Sequence, residues 1–149
     1  MSETSHDIST LNDLIATTYD SINGYTEAAK NSDNQRFAAL FTARSAEREA
    51  AIRTLRGEVI RLGGTPDDNG TVLGGAHRMF MNLKSVVTGR DETAIIAEVE
   101  QGEDHIKAKF EDAIADTELS PQVMHTIREC YDSVKQGHDE MRDLKHSMT

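Results

Sequence analysis

Apolar side chains along this chain recur at steps of three and four residues and show no sustained alternation. That is the period of α-helices packed through one face. In the first such stretch, residues 7–31, the seam consists of Ile8, Leu11, Ile15, Thr18, Ile22, Tyr25 and Ala29. Asp33 is placed to cap a second helix that runs to about Leu62, where Gly63-Gly64 and then Pro66 stop it. TPDDNG at 65–70 has the composition of a loop. Thr71 is placed to cap a short helix over about 72–87, which Thr88 and Gly89 end, and Asp91 to cap a long helix reaching about Asp116. After the turn TELS at 117–120, Ser120 followed by Pro121 is the strongest start signal, an N-cap with proline at the first helical position. The last helix then runs to about Ser147.

The pattern predicts an all-α chain with four long helices and one short one. Residues 1–149 make one domain, with 1–7 and 147–149 expected to fray. The links between the first and second helices and between the last two are a few residues long, so each pair is antiparallel. The long connection between the second and third helices has room to return along the bundle. These two helices then run parallel, which predicts a ferritin-like four-helix bundle with one long crossover carrying a short fifth helix.

Composition narrows the function classes. The chain of 149 residues has 26 acidic and 16 basic side chains, a net charge of −10, which opposes nucleic acids and anionic membranes as partners. One cysteine, Cys130, excludes an internal disulfide and a multi-thiolate zinc site. No apolar run is long enough to span a bilayer. The opening residues MSETSHDISTL lack a basic stretch followed by an apolar one, so no signal peptide and a bacterial-type cytoplasmic location are expected.

Bundles build chemical sites from polar residues on inward stripes. The second helix reads Phe37, Phe41, Arg44, Arg48, Ala51, Leu55, Val59, Leu62, with Glu47 beside it. The third reads Ile96, Val99, Glu103, Ile106, Phe110, Ala113, and the fourth Met124, Ile127, Tyr131, Val134, His138, Met141, Leu144. On the first, Tyr19 and Asp20 flank Thr18. Counting from the turns puts Asp20, Arg44, Glu47, Arg48, Glu103 and His138 in one layer, where charges must be paired with each other or with a metal. A metal reading uses Asp20, Glu47, Glu103 and His138 for iron or manganese. A di-iron centre also needs Glu-x-x-His on two helices. Here Glu47 is followed by Ala50, and Lys135 stands three before His138. The favoured expectation is an internal ion-pair layer in which Arg44, Arg48 and Lys135 neutralise the acids, with no catalytic residue and no cofactor. His6 and His146, near the termini, are expected to be solvated, and Cys130 to be a small buried apolar residue. Gly102 and Gly137, at nearly one level, suggest close contact between the last two helices.

The stretches LNDLI (11–15), LGG (62–64), GGAHRMFMNLK (74–84), EQGED (100–104) and HDEMRDL (138–144) resemble a bacterial ferritin-like four-helix-bundle family of unknown function, related in fold to rubrerythrin. The resemblance covers about residues 8–146. Phe80 stands where that family usually has tryptophan. The resemblance implies a fold and marks Glu100, Gly102, Glu103, Asp104, His138, Asp139 and Arg142, without implying an activity. Asp139 and Arg142 are spaced to pair on the helix surface, and His77, Arg78 and Lys84 to clip the crossover helix to the bundle. The expected role is structural, stress-related or partner-binding. Self-association is expected, a dimer above other states, with Met79, Phe80 and Met81 as a contact surface. The alternatives are a rubrerythrin-like oxidase or metal store, and an acidic adaptor for a basic protein.

Overall fold

The computed structural model describes residues 2–32, 34–67 and 92–147. Four helices carry them: α1 (Ser2–Asn31), α2 (Gln35–Arg61), α3 (Glu92–Ile114) and α4 (Pro121–Ser147). Among the described residues there is no strand. The short helix expected over 72–87, with Thr71, Thr88, Gly89 and Asp91, lies outside the described residues, as do His77, Arg78, Met79, Phe80, Met81 and Lys84.

The helix ends show where sequence punctuation works and where it slips. Asn34, not Asp33, caps α2. Its side chain accepts from the amides of Arg36 at 2.9 Å and Phe37 at 3.3 Å. Its carbonyl takes the first helical bond, from Ala38 at 2.9 Å. With the same chemistry available at both positions, the residue that is extended just before the first turn wins, here at φ −86°, ψ 112°. At the other end, Gly63 N–H bonds to Ile60 O at 2.9 Å and Gly64 N–H to Val59 O at 3.0 Å, with Gly63 at φ 85°. This double closure needs a left-handed residue, which glycine adopts without a Cβ clash. A Cβ on Gly64 would sit 2.8 Å from Ile8 Cδ1. The chain leaving α2 therefore lies directly on α1. Asn12 fixes it there, donating to Thr65 O at 3.1 Å and accepting from the Asp67 amide at 2.9 Å.

α1 starts at Ser2, before the predicted boundary. His6 is not simply solvated: its Nε2 is 2.6 Å from Asp116 Oδ2. Asp7 is buried and accepts from the Ser120 amide at 3.1 Å. These two bonds tie the first turns of α1 to the α3–α4 turn.

The seams meet in one core. Leu11, Leu14, Ile15, Tyr25, Phe41, Leu55, Val59, Ile95, Ile96, Val99, Ile106, Phe110, Val123, Ile127, Val134 and Met141 are all buried. Fully burying one such aliphatic side chain contributes about 1.5–3 kcal/mol. Side-chain bonds fix the helix directions. His6 with Asp116 and Tyr25 with Glu103 set α1 antiparallel to α3. Arg44 with Glu140 and Cys130 with Ala51 set α2 antiparallel to α4. Tyr131 with Glu111 and Lys145 with Glu100 set α3 antiparallel to α4. Because α1 is also antiparallel to α2 across their short turn, α2 and α3 point the same way. Asp67 and Glu92 accordingly lie at opposite ends of the bundle.

Candidate functional site

Halfway along the bundle the core stops being apolar. Arg44 and Arg48, one turn apart on α2, both point inward and are buried, as are Asp20 on α1 and Glu103 on α3. The formal charges of these four balance, two cations against two anions. In a water-poor interior that balance is a condition of folding, since an isolated ion there costs several kcal/mol.

A fully buried ion pair reaches across the bundle from α2 to α3. Arg48 Nη2 lies 2.7 Å from both Glu103 Oε1 and Oε2, and both side chains are 0% exposed. The Tyr25 hydroxyl donates to Glu103 Oε1, so the carboxylate is held from α1 as well. The Tyr25 ring is set by Phe41, with centroids 6.1 Å apart and tilted by 40°. Burial, reinforced by the Glu103 charge, pushes the Tyr25 phenol well above its ordinary value of 10.0, which keeps it a neutral donor. Burial pulls the Arg48 guanidinium down, but Glu103 and Tyr25 outweigh it and the group stays charged. Among the described residues, Arg48 Nε and Nη1 and Arg44 Nε have no hydrogen-bond partner.

Arg44 faces the other seam. It donates to Glu47 on its own helix and to Glu140 on α4, and both carboxylates reach out to solvent. Gly137 makes this packing fit. A Cβ there would lie 2.7 Å from Arg48 Nη2, 3.0 Å from Arg44 Cδ and 3.1 Å from Arg44 Nε. The glycine on α4 thus admits two arginine side chains from α2, whereas its level with Gly102 suggested contact with α3.

The layer anticipated from the sequence is brought together only in part. Arg48 meets Glu103 and Arg44 meets Glu47. Asp20 is buried at 1% exposure. His138 is also buried, but it pairs with Asp104 at 2.5 Å and not with Glu103. Lys135 does not join the layer: its side chain is 54% exposed and bonds Asp139 at 3.1 Å. Asp139 and Arg142 pair at 3.5 Å, the surface contact their spacing suggests. Two participants were missed. Tyr25 sat in the apolar seam and was counted for its ring alone, and Glu140 is two residues past His138. Gly137 was the available signal, marking where a neighbouring helix needs space.

This donor set does not fit a di-iron centre. Both Glu103 oxygens are held by a guanidinium and one also by a phenol, and cations stand where ligands are required. Nor do Asp20, Glu47, Glu103 and His138 converge. The groups of three or more ligand atoms within 4.8 Å among the described residues are Glu100–Asp104–His138 and His6–Asp116–Glu118.

A family model described as a domain of unknown function (DUF2383) matches residues 6–116. The chain belongs to this family. The DUF2383 match takes in Tyr25, Arg44, Arg48 and Glu103, and ends before α4, so Gly137, His138 and Glu140 lie beyond it. No curated protein matches the chain.

The single cysteine of this DUF2383 chain is quiet. Cys130 borders an open groove between α2 and α4, with Glu47 and Glu129 among its lining residues. Burial, with a smaller contribution from Glu129, pushes its thiol up to about 12, so it is not a nucleophile at neutral pH. No helix among the described residues is long and apolar enough to cross a membrane.

Proposed function

We propose that this protein is a non-enzymatic bundle of ferritin-like topology, in which an internal guanidinium–carboxylate layer stands in place of a di-metal centre. Its work is done at its surface, as a structural or stress-related element that self-associates or docks a protein partner. The observation that carries this reading is the Arg48–Glu103 pair. A carboxylate that accepts from Arg48 through both oxygens and from Tyr25 through one has three of its four lone-pair sites taken and its charge already paired with a guanidinium. The parallel run of α2 and α3 supports the ferritin-like part, because only a connection along the length of the bundle joins two consecutive parallel helices.

The test is aerobic oxidation of added iron(II). The rate with the native protein should equal that of buffer, and Glu103→Gln should leave it unchanged. Faster oxidation that disappears in Glu103→Gln would overturn the reading in favour of a rubrerythrin-like oxidase.

A further inference from the structure

Glu100 and Asp104 are spaced i,i+4 on α3 and so share one face. His138 reaches that face from α4. One ligand atom from each of the three lies within 4.8 Å of the other two. The Glu100 side chain is 14% exposed and that of His138 11%, while Asp104, at 57%, opens the cluster to solvent.

A second feature sits on the far side of the imidazole. His138 Nδ1 is 3.2 Å from Asp139 Oδ1, and Asp139 is itself held by Lys135 at 3.1 Å and Arg142 at 3.5 Å. A ring nitrogen bonded to an anchored carboxylate orients the imidazole and directs the other nitrogen outward, the arrangement that supports histidines bound to metals. Here the other nitrogen, Nε2, faces Asp104 Oδ1 at 2.5 Å. A neutral imidazole has one N–H and cannot donate to carboxylates on both sides. The tautomer that donates from Nδ1 to Asp139 leaves the Nε2 lone pair facing Asp104, and that is the form that takes a metal ion.

We propose that Glu100, Asp104 and His138 form a binding site for one first-row divalent transition-metal ion of the zinc class, on the seam between α3 and α4. One imidazole and two carboxylates suit zinc, manganese or iron(II) better than magnesium or calcium, which take oxygen-only sites. Three protein ligands leave at least one position for water. Binding uses the Nε2 lone pair, so a metal ion and a proton compete for that nitrogen. It also displaces Lys145, whose Nζ lies 3.3 Å from Glu100 Oε2 on a side chain that is 36% exposed and free to swing outward. The site is separate from the Arg48–Glu103 pair, so a redox-silent ion here is compatible with the non-enzymatic reading.

The experiment is titration of the full chain with zinc(II) by calorimetry and with cobalt(II) by visible absorption. Wild type should take up one ion at saturation. Asp104→Asn and Glu100→Gln should each weaken binding at least about tenfold. Asp139→Asn, which removes no metal ligand, should weaken it by about 10–100-fold. Lys145→Gln should tighten it, because a competing cation is gone. Glu118→Gln, in the other acidic–histidine group, should change nothing. Asp104 is exposed enough for its variant to fold, which circular dichroism checks. No saturable uptake by wild type overturns the proposal, and so does uptake unaffected by Asp104→Asn and Glu100→Gln.

Discussion

Removing one charge from the Arg48–Glu103 pair should destabilise this protein far more than removing both. Glu103→Gln keeps the side-chain shape and deletes the charge. Arg48 would then be a guanidinium with 0% side-chain exposure whose Nε and Nη1 already lack partners among the described residues. Only Nη2 would retain an acceptor, and a neutral one. Breaking a buried pair from one side costs about 3–5 kcal/mol. Against a total stability of about 5–15 kcal/mol, that loss is a large fraction. For a chain of this length it lowers Tm by roughly 6–20 °C, at about 2–4 °C per kcal/mol. Arg48→Met should cost a similar amount, because it leaves the Glu103 carboxylate buried with Tyr25 as its remaining donor. The double variant Arg48→Met/Glu103→Leu removes both desolvation penalties and fills the space with apolar atoms. It should fall within about 1 kcal/mol of wild type or exceed it. The assay is urea unfolding followed by far-ultraviolet circular dichroism, with the slope checked for constancy. A Glu103→Gln cost below about 0.5 kcal/mol would refute the reasoning, since that is the range of indifferent surface changes. A double variant as unstable as the two single losses added together would refute it equally, because contacting charges must couple.

Other expectations follow from the same coordinates. Gly137→Ala should destabilise the protein by about 1–2 kcal/mol in urea, although alanine is worth about 1 kcal/mol over glycine in a helix interior. The new Cβ would stand 2.7 Å from Arg48 Nη2, an overpacking that outweighs the propensity gain; a more stable variant would refute this. The His6–Asp116 contact should be pH-dependent at both edges. The hydrogen bond to Asp116 raises His6 above 6.5, so its stabilisation is present below that value and fades as pH climbs through the folded value. Asp116 is lowered from 3.8 by the Glu118 amide and then by His6, so its stabilisation is present above that value and fades as pH falls through the folded one. An NMR titration should show the His6 ring titrating later than in Asp116→Asn. Tyr25 should not ionise while the protein is folded, because burial raises its phenol. Above pH 10 an unfolded chain releases that proton and the folded one does not, so stability should fall with pH. Tyr25→Phe should leave the alkaline phenolate absorbance of the folded protein unchanged.

The helices were legible because amphipathic spacing is a local property, and so was the existence of a polar middle, since Arg44, Arg48 and Glu103 interrupt otherwise apolar seams. The pairing within that middle was not. It depends on helix rotation, and a residue turns by about 100° for each step along the chain. Neighbouring residues on α3 therefore serve different partners, Glu103 turning in to Arg48 and Asp104 turning out to His138. On α4 the same rotation carries Lys135 to the surface although it follows Val134, a buried seam residue. Seam spacing also hid the Tyr25 hydroxyl, because a tyrosine in an apolar stripe reads as a ring. The stretches LNDLI and LGG were legible as motifs and became explicable only in space. Asn12 holds the chain just past Gly64, and Gly64 lies against Ile8.

The same rotation explains why a costly ion pair belongs at the centre. An apolar seam tolerates a helix sliding by one residue better than a charge pair does, because hydrophobic burial has no direction. For α3 against α2 that slide is about 1.5 Å of rise with about 100° of turn. It would carry Glu103 off Arg48 and bring the exposed residues Gln101 or Asp104 toward the core. Two buried charges would then be unpaired, at several kcal/mol each. The pair thus contributes little net stability in the correct register and a large penalty in every neighbouring one. The Arg48→Met/Glu103→Leu variant should therefore match wild type in urea and differ from it in order, with broader amide resonances along α3. Sharp, wild-type-like resonances in that variant would show that packing alone sets the register, and that the pair does not.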